Sequence, residues 1–197
     1  MGDHQRDVWD QHAATFDDEA DHGLRDPVVR GAWRTLLRSV LPDPPVDIAD
    51  LGSGTGSLSV LLAQDGYRVV GVDFSQNMVA AAERKATEAG VSVEFRKGDA
   101  ALPDIEPSSL DVVLVRHVVW ALDAPEDAIR RWAALLRGGG RLVLIEGRWS
   151  TGTGVSAREL VSMVRTVIPD VEERPLTDPA LWGAPVLDER YVLIART

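Results

Sequence analysis

The sequence predicts an α/β fold, a three-layer sandwich in which helices cover both faces of a mostly parallel sheet. From residue 46 to residue 146, short apolar runs alternate with stretches of helical periodicity, a pattern typical of such sheets. The first apolar run leads into three closely spaced glycines in VDIADLGSGTGS, residues 46–57. A chain of 197 residues, 45% of them hydrophobic, suffices for one domain with a sizeable core.

Residues 1–45 precede the first strand and are expected to form two helices. The apolar face of the first comprises Trp9, His12, Ala13 and Phe16. The acidic residues that follow oppose the negative end of the helix dipole and indicate that the helix ends there. The second helix should begin after Asp26 as its N-cap and end before Pro42. Its apolar face comprises Val29, Trp33, Leu36 and Val40.

The alternating region begins with the strand before the glycines. Its strands are predicted at 46–51, 68–72, 91–96, 111–116 and 141–146. The helices between them are predicted at 57–65, 76–89 and 124–137, with a capping box formed by Asp123 and Glu126 at the start of the third. After Gly147 the pattern predicts a helix within 155–168 and strands at 171–174 and 191–195.

The glycine turn and the acid after the second strand predict a ligand that carries a ribose. A strand that leads into a glycine turn and then a helix N-terminus presents unpaired N–H groups to an anionic ligand. Asp73 follows 17 residues after Gly56 and can accept hydrogen bonds from two ribose hydroxyls. Ser57 stands where the third glycine of a dinucleotide fingerprint would fall, so that fingerprint is not met.

Five motifs occur in an order that resembles the class I S-adenosylmethionine-dependent methyltransferases. They are DLGSGTG at 50–56, VVGVDFS at 69–75, GDA at 98–100, DVVLVRHVVWAL at 111–122 and LLRGGGRLVLIEG at 135–147. The resemblance implies a seven-stranded sheet whose last strand is antiparallel. It also implies a single methyltransferase domain over 1–197, with 1–45 as a helical lid, 46–147 as the cofactor-binding core and 148–197 completing the sheet.

The resemblance implies which residues bind S-adenosylmethionine. They are Gly52, Ser53, Gly54, Gly56, Asp73, Phe74, Met78, Asp99, Ala100 and Arg116. The glycines would approach the methionine portion, Asp73 the ribose, and Asp99 the adenine amino group. Phe74 and Met78 would enclose the adenine by apolar contact, although Met78 also fits a core position at helical spacing.

Methyl transfer from a sulfonium mainly requires that two reactants be held in line, and a base is needed only where the acceptor must lose a proton. His117 and His12 are the candidates for that base, and each also fits a packing role. The acceptor pocket should come from 1–45 and 117–122, with 147–154 and 176–189 as further segments. Its candidate aromatic residues are Trp9, Phe16, Trp120 and Trp182, which alternatively belong to the core.

The composition favours a small-molecule acceptor. A net charge of −10 disfavours nucleic acid as a partner, and the absence of cysteine excludes disulfides and thiolate metal sites. No metal ligand set is expected. The polar start and the lack of a long apolar run predict a soluble, cytoplasmic protein without membrane contact. We expect an O- or N-methyltransferase of small, aromatic or secondary, metabolites. The alternatives are a non-catalytic cofactor-binding or assembly protein and a nicotinamide-dependent oxidoreductase.

Overall fold

The computed structural model describes residues 9–197, which form one seven-stranded sheet. The strands are β1 (Asp47–Leu51), β2 (Arg68–Asp73), β3 (Glu94–Lys97), β4 (Leu110–Arg116), β5 (Leu136–Arg148), β6 (Asp170–Pro175) and β7 (Glu189–Arg196). Their order in the sheet is β3-β2-β1-β4-β5-β7-β6, and β7 runs antiparallel to both of its neighbours. The predicted mostly parallel sheet with an antiparallel last strand is confirmed.

Helices cover both faces of this sheet. Within the described residues they are α1 (Ala20–Gly23), α2 (Pro27–Val40), α3 (Ser57–Gln64), α4 (Gln76–Glu88), α5 (Pro125–Leu135) and α6 (Ala157–Arg165). Buried side chains of α5 and α6 share one apolar cluster with the sheet, while those of α2 and α3 share a second cluster with it. The three-layer arrangement follows from these two separate cores.

The N-terminal segment differs from its prediction. The described part of the first helix covers 9–12, a turn follows at 13–15, and Phe16–Asp18 is a 3₁₀ turn. At this point the chain bends towards the glycine turn, where Asp17 accepts a hydrogen bond from Thr55, and its Oδ2 lies 2.8 Å from Nζ of Lys85 on α4. Trp9 and Phe16 therefore do not share one regular helical face, although their rings meet edge to face at 6.1 Å. Residues 1–8 of that prediction lie outside the described residues.

The second helix, α2, confirms its prediction. Its N-cap Asp26 accepts hydrogen bonds from the backbone N–H groups of Val28 and Val29, which satisfies donors at the helix start. The buried face comprises Val29, Trp33, Leu37 and Val40, so Leu37 takes the place predicted for Leu36. The indole of Trp33 also donates to the carbonyl of Leu181 at 2.7 Å, which ties α2 to the far end of the chain.

The junction between α5 and β5 corrects two predicted boundaries. The N-cap of α5 is Ala124, with no side-chain cap, so the predicted capping box on Asp123 is wrong. The helix ends at Leu135 and β5 begins directly after it, which places the three glycines 138–140 inside the strand. The strand accommodates them through a shift in register: Leu110 of β4 pairs with Leu136 of β5, whereas Val112 pairs with Arg141, so the glycines lie in a bulge between these two pairs.

The strand order creates a crevice at the carboxyl ends of β1 and β4. The sheet extends from β1 through β2 to β3 on one side, and β4 then pairs with β1 on its other side. Ligands of open α/β sheets bind where the strand order reverses in this way. In the described part of the chain, none of the helices has the length and apolar character that a membrane span requires.

Candidate active site

A cavity of about 400 Å³ opens at this crevice. We call its first group of lining residues the glycine-loop side: Asp50, Gly52, Ser53, Gly54, Leu58, Asp73, Phe74, Met78, Asp99 and Ala100. We call the remaining residues the aromatic side: Trp9, Phe16, Glu19, Asp21, His22, Arg116, His117, Val118, Trp120, Ala121, Trp149, Thr153 and Arg190. The cavity thus joins the motif residues to the N-terminal segment and to the loops after β4 and β5.

The glycine turn is shaped by its own backbone. Gly54 has a φ of +54°, a conformation that side chains disfavour, and a Cβ there would lie 3.2 Å from the Phe16 ring. Gly56 does not line the cavity. A Cβ on Gly56 would lie 2.8 Å from both the Ala82 methyl and the Phe95 ring, so this glycine permits close packing of α4 and β3 behind the turn.

Asp73 is the central acid of the glycine-loop side. Its Oδ2 accepts from the N–H of Gly54 at 2.8 Å and its Oδ1 from the N–H of Ser75 at 2.9 Å. The residue is only 6% exposed. Burial raises the pKa of Asp73 to about 6, against the lowering effect of the two N–H donors. The carboxylate is therefore largely ionised at neutral pH, and it lines the cavity with one N–H donor on each oxygen.

Other polar residues of the glycine-loop side make fewer hydrogen bonds within the protein than Asp73 does. Ser53 Oγ is buried and has no hydrogen-bond partner among the described residues. Asp99 is exposed at the rim, and one of its carboxylate oxygens accepts from the Ala101 N–H at 2.8 Å. Asp50 is buried beneath the turn, where it accepts from Ser59 Oγ at 2.6 Å, and burial raises its pKa. Ser53 and Asp99 retain capacity for a ligand.

A half-buried ion pair holds the N-terminal segment against the glycine turn. Asp17 contacts Lys85 at 2.8 Å and accepts from Thr55 Oγ1 at 2.5 Å. Lys85 also donates to Thr55 Oγ1 at 2.9 Å and to Ser57 Oγ at 2.6 Å. Burial lowers the pKa of Lys85, although the nearby Asp17 opposes this shift. We call these four residues the latch.

A second attachment joins the start of the described segment to the N-terminus of α4. Asp10 accepts a hydrogen bond from Ser75 Oγ. The side-chain amide of Asn77 donates to the Asp10 carbonyl at 3.0 Å. Because Ser75 also donates its N–H to Asp73, the segment is coupled to the central acid of the glycine-loop side.

On the aromatic side, His117 contacts several other aromatic rings. It follows β4 directly, with a φ of +58°, and its Nε2 is buried without a hydrogen-bond partner among the described residues. Its ring stacks on Trp182 at 6.0 Å and meets Trp149 edge to face at 5.3 Å. Burial, reinforced by the positive charge of Arg116, holds the pKa of His117 well below its usual range. The imidazole is therefore neutral at physiological pH.

Glu146 of β5 stabilises the loop after β4 by hydrogen bonds to its backbone. It is fully buried, and its Oε1 accepts from the N–H groups of Val118 at 2.8 Å and Val119 at 2.7 Å. Burial raises the pKa of Glu146 to about 8, so the carboxyl group is largely protonated at neutral pH. Trp120, 39% exposed, then donates its indole N–H back to the His117 carbonyl at 2.9 Å. Glu146 thus fixes the turn that carries His117 and Trp120 into the cavity.

Arg116 connects the end of β4 to the N-terminal segment. Its guanidinium donates to the backbone carbonyl of Asp21 at 2.6 Å and lies 5.1 Å from the centre of the Trp33 ring. Burial lowers the pKa of Arg116, and the nearby carboxylate of Asp21 opposes that shift. The side chain therefore has a structural partner in addition to its place in the cavity wall.

Most of the predicted site residues meet at this cavity, and three do not line it. Besides Gly56, His12 is exposed and contacts Trp9 edge to face at 5.9 Å. Trp182 packs in the core between Trp33 and His117. The predicted Trp9, Phe16 and Trp120 do line the aromatic side.

Four residues at or beside the cavity have no functional role predicted from the sequence: Glu146, Lys85, Trp149 and Arg190. A signal was available for Glu146, since an acid interrupts the apolar run of β5. Trp149 lies in the predicted pocket segment 147–154. No local pattern marks Lys85, because its partners come from the glycine turn and the N-terminal segment.

Comparison with known protein families supports one assignment. A family model described as a methyltransferase domain matches residues 49–144. The chain is 35% identical over 117 residues to a demethylmenaquinone methyltransferase of Thermus thermophilus, covering 58% of this chain and 53% of that protein. It is 35% identical over 141 residues to the nocamycin O-methyltransferase of Saccharothrix syringae, covering 70% and 49%. The chain spans about half the length of these curated relatives.

Solved structures share the fold at lower sequence identity. The [4+2]-cyclase SpnF superposes with a TM-score of 0.73 at 22% identity, covering 84% of this chain and 80% of that one. A geranyl diphosphate methyltransferase in complex with GPP and sinefungin gives a TM-score of 0.69 at 19% identity, with coverages of 84% and 77%. At these identities the likeness concerns the fold alone.

Proposed function

The chain belongs to the class I S-adenosylmethionine-dependent methyltransferases, and on this premise we propose that it transfers a methyl group from S-adenosylmethionine to the oxygen or nitrogen of a small metabolite. The observation that carries the proposal is Asp73, a largely ionised carboxylate that is held by the glycine turn and lines the cavity. The matched domain does not favour the nicotinamide-dependent alternative.

In this proposal the glycine-loop side holds the cofactor. Asp73 accepts hydrogen bonds from the two ribose hydroxyls, and Phe74 and Met78 contact the adenine. Asp99 accepts from the adenine amino group at the rim, next to the N–H of Ala100. Gly52, Ser53, Gly54 and the backbone near Arg116 surround the methionine portion.

The acceptor then occupies the aromatic side. Trp9, Phe16, Trp120 and Trp149 supply flat apolar surface for an aromatic or similarly compact metabolite. The free Nε2 of His117 orients the reacting group. We do not retain His12 in a catalytic role, because it lies apart from the cavity.

Residues 9–23 act in this proposal as a lid whose opening admits both ligands. The latch on Asp17 and the attachment on Asp10 hold the segment closed over the glycine turn. Closure excludes water and keeps the sulfonium methyl in line with the acceptor atom, which is the main requirement of this reaction. The lone pair of the acceptor oxygen or nitrogen would form the new bond to the methyl carbon while the C–S bond breaks with its electron pair on sulfur. The proton of the acceptor would pass to solvent, and S-adenosylhomocysteine would leave.

The fold alone does not decide the reaction, since a [4+2]-cyclase shares it. The test is a turnover assay with S-adenosylmethionine and a panel of phenols, hydroxyquinones, carboxylic acids and amines, read by mass spectrometry. We expect S-adenosylhomocysteine and a methylated acceptor to form in equal amounts. Retained cofactor binding without turnover across the panel would instead support a non-catalytic cofactor-binding protein.

A further inference from the structure

Asp21, His22 and His117 form a compact group on the aromatic side of the cavity. Each offers one nitrogen or carboxylate oxygen, and these three atoms lie within 4.8 Å of one another. All three side chains are half-buried and all line the cavity. Two imidazoles and one carboxylate are ligands that divalent transition metals prefer, and the sequence alone did not predict this combination.

One buried nitrogen of each imidazole lacks a hydrogen-bond partner among the described residues, while the other nitrogen of His22, Nε2, lies 3.7 Å from Asp21 Oδ2. His117 Nε2 and His22 Nδ1 are both buried, and neither has a partner among the described residues. Their ring faces are occupied instead, since His22 stacks on Phe16 at 4.2 Å and His117 on Trp182 at 6.0 Å. Native proteins rarely leave such atoms unsatisfied, so these nitrogens indicate a ligand.

The scaffold brings the three residues together from distant parts of the chain. Asp21 and His22 belong to the short helix α1, and His117 follows β4. Arg116 joins the two segments by donating to the Asp21 carbonyl. Glu146 holds the backbone just after His117. Hydrogen bonds to the backbone therefore hold both segments in place.

We propose that Asp21, His22 and His117 bind one divalent transition-metal ion, with open coordination positions facing the cavity. Metal bonds of about 2.0–2.2 Å place neighbouring ligand atoms roughly 3–3.5 Å apart, so binding draws the three side chains slightly inward. The positive charge of the neighbouring Arg116 disfavours the binding of a cation at this site. The carboxylates of Asp17, Asp21 and Asp50 surround that guanidinium and offset it.

This inference rests on the proposed function and adds to it, because the ion defines how the acceptor is bound. A hydroxyl of the acceptor binds at an open position and releases its proton to water, because the ion lowers the hydroxyl pKa. The bound oxygen then uses a lone pair to form the O–C bond, and the C–S bond breaks with its electron pair remaining on sulfur. The preferred substrates are therefore hydroxylated metabolites, with His117 acting through the ion.

The test is calorimetry on tag-free protein freed of metal with a chelator, titrated with Zn²⁺, Mn²⁺ and Co²⁺. We expect one ion per chain with micromolar affinity for at least one of these metals, and visible absorption bands on addition of Co²⁺. His22→Ala, His117→Ala and Asp21→Asn should each weaken binding by at least about tenfold. His117→Gln preserves more of the side-chain volume and serves if the alanine variant does not fold. The matched control, His12→Ala, removes an exposed histidine outside the group and should leave metal affinity unchanged.

Two outcomes overturn the inference: no binding of any of these ions at millimolar concentration, or binding that persists in the His22 and His117 variants. S-adenosylhomocysteine is titrated in parallel to separate the two proposals. Cofactor binding without metal binding refutes the metal site and leaves the proposed function standing. Absence of cofactor binding to the wild-type protein refutes the proposed function, whatever the ions do.

Discussion

The affinity for S-adenosylhomocysteine should fall in acid through one residue, Asp73. The ionised carboxylate accepts hydrogen bonds from ribose hydroxyls, and its protonated form loses part of that capacity. Burial raises the pKa of Asp73 to about 6, so the change falls between pH 7.5 and pH 5. Replacing Asp73 with asparagine removes both the charge and the titration.

The size of the effect follows from the fraction of ionised carboxylate. At pH 7.5 nearly every Asp73 is ionised, whereas at pH 5, one unit below the pKa, about one molecule in eleven is. If only the ionised form binds well, affinity falls about tenfold across this range. Asp73→Asn should weaken binding at pH 7.5 by roughly 1.5–3 kcal/mol, the value of hydrogen bonds to a charged group.

Calorimetric titration of both proteins with S-adenosylhomocysteine at several pH values tests this reasoning. The wild-type affinity should decline below pH 6, while the Asp73→Asn affinity should stay level. The exposed acid Asp104 provides a matched control, since Asp104→Asn should keep the wild-type profile. A wild-type affinity that does not change with pH, or an equal decline in the Asp73→Asn variant, would refute the assignment.

The same ionisation should govern the stability of the ligand-free protein. The folded-state pKa of Asp73 lies above its ordinary value of 3.8, so ionisation disfavours the folded state. The stability contribution is fully present below about pH 4 and is lost as the pH rises through 6, a cost of about 3 kcal/mol. About 1.4 kcal/mol of this cost falls between pH 5 and pH 7.5. Denaturant unfolding at these two pH values should show that difference in the wild type and a smaller one in Asp73→Asn.

Three further predictions concern the lid, the acceptor loop and the core. Lys85→Met breaks the latch and should accelerate S-adenosylhomocysteine dissociation severalfold in stopped-flow fluorescence, whereas Arg84→Met, on the exposed face of the same helix, should not. Glu146→Ala should raise the KM for the acceptor and leave the Kd of S-adenosylhomocysteine unchanged, because it removes the hydrogen bonds that hold the turn after His117. Glu146→Gln should restore most of the loss. A parallel loss of cofactor affinity would contradict this role. Trp33→Ala should lower the free energy of unfolding by about 3–5 kcal/mol, since this ring is fully buried; a loss below about 1 kcal/mol in denaturant titration would contradict its place in the core.

The parts of the fold that could be predicted from sequence are those specified locally. The glycine turn, Asp73 and the N-cap Asp26 each act on backbone groups within a few residues or at a fixed place after a strand. The predicted capping box at Asp123 was wrong because Pro125 starts the helix two residues later. The helix predicted to reach Phe16 ends early because Asp17 turns towards Lys85, a partner that lies far along the chain.

The aromatic side of the cavity was less predictable for the same reason. His117 and Trp120 lie in a recognisable motif, but their orientation depends on Glu146, which comes from another strand. The grouping of His22 with His117 depends on how the N-terminal segment folds back over β4. Sequence spacing carries no information about such contacts between distant segments.

Calorimetric titration of the wild-type protein with S-adenosylhomocysteine and S-adenosylmethionine at pH 7.5 decides whether the cavity binds this cofactor. Each ligand should bind once per chain, and Asp73→Asn should weaken the binding of both. An absence of binding at millimolar ligand by correctly folded protein would contradict the cofactor assignment and the function built on it.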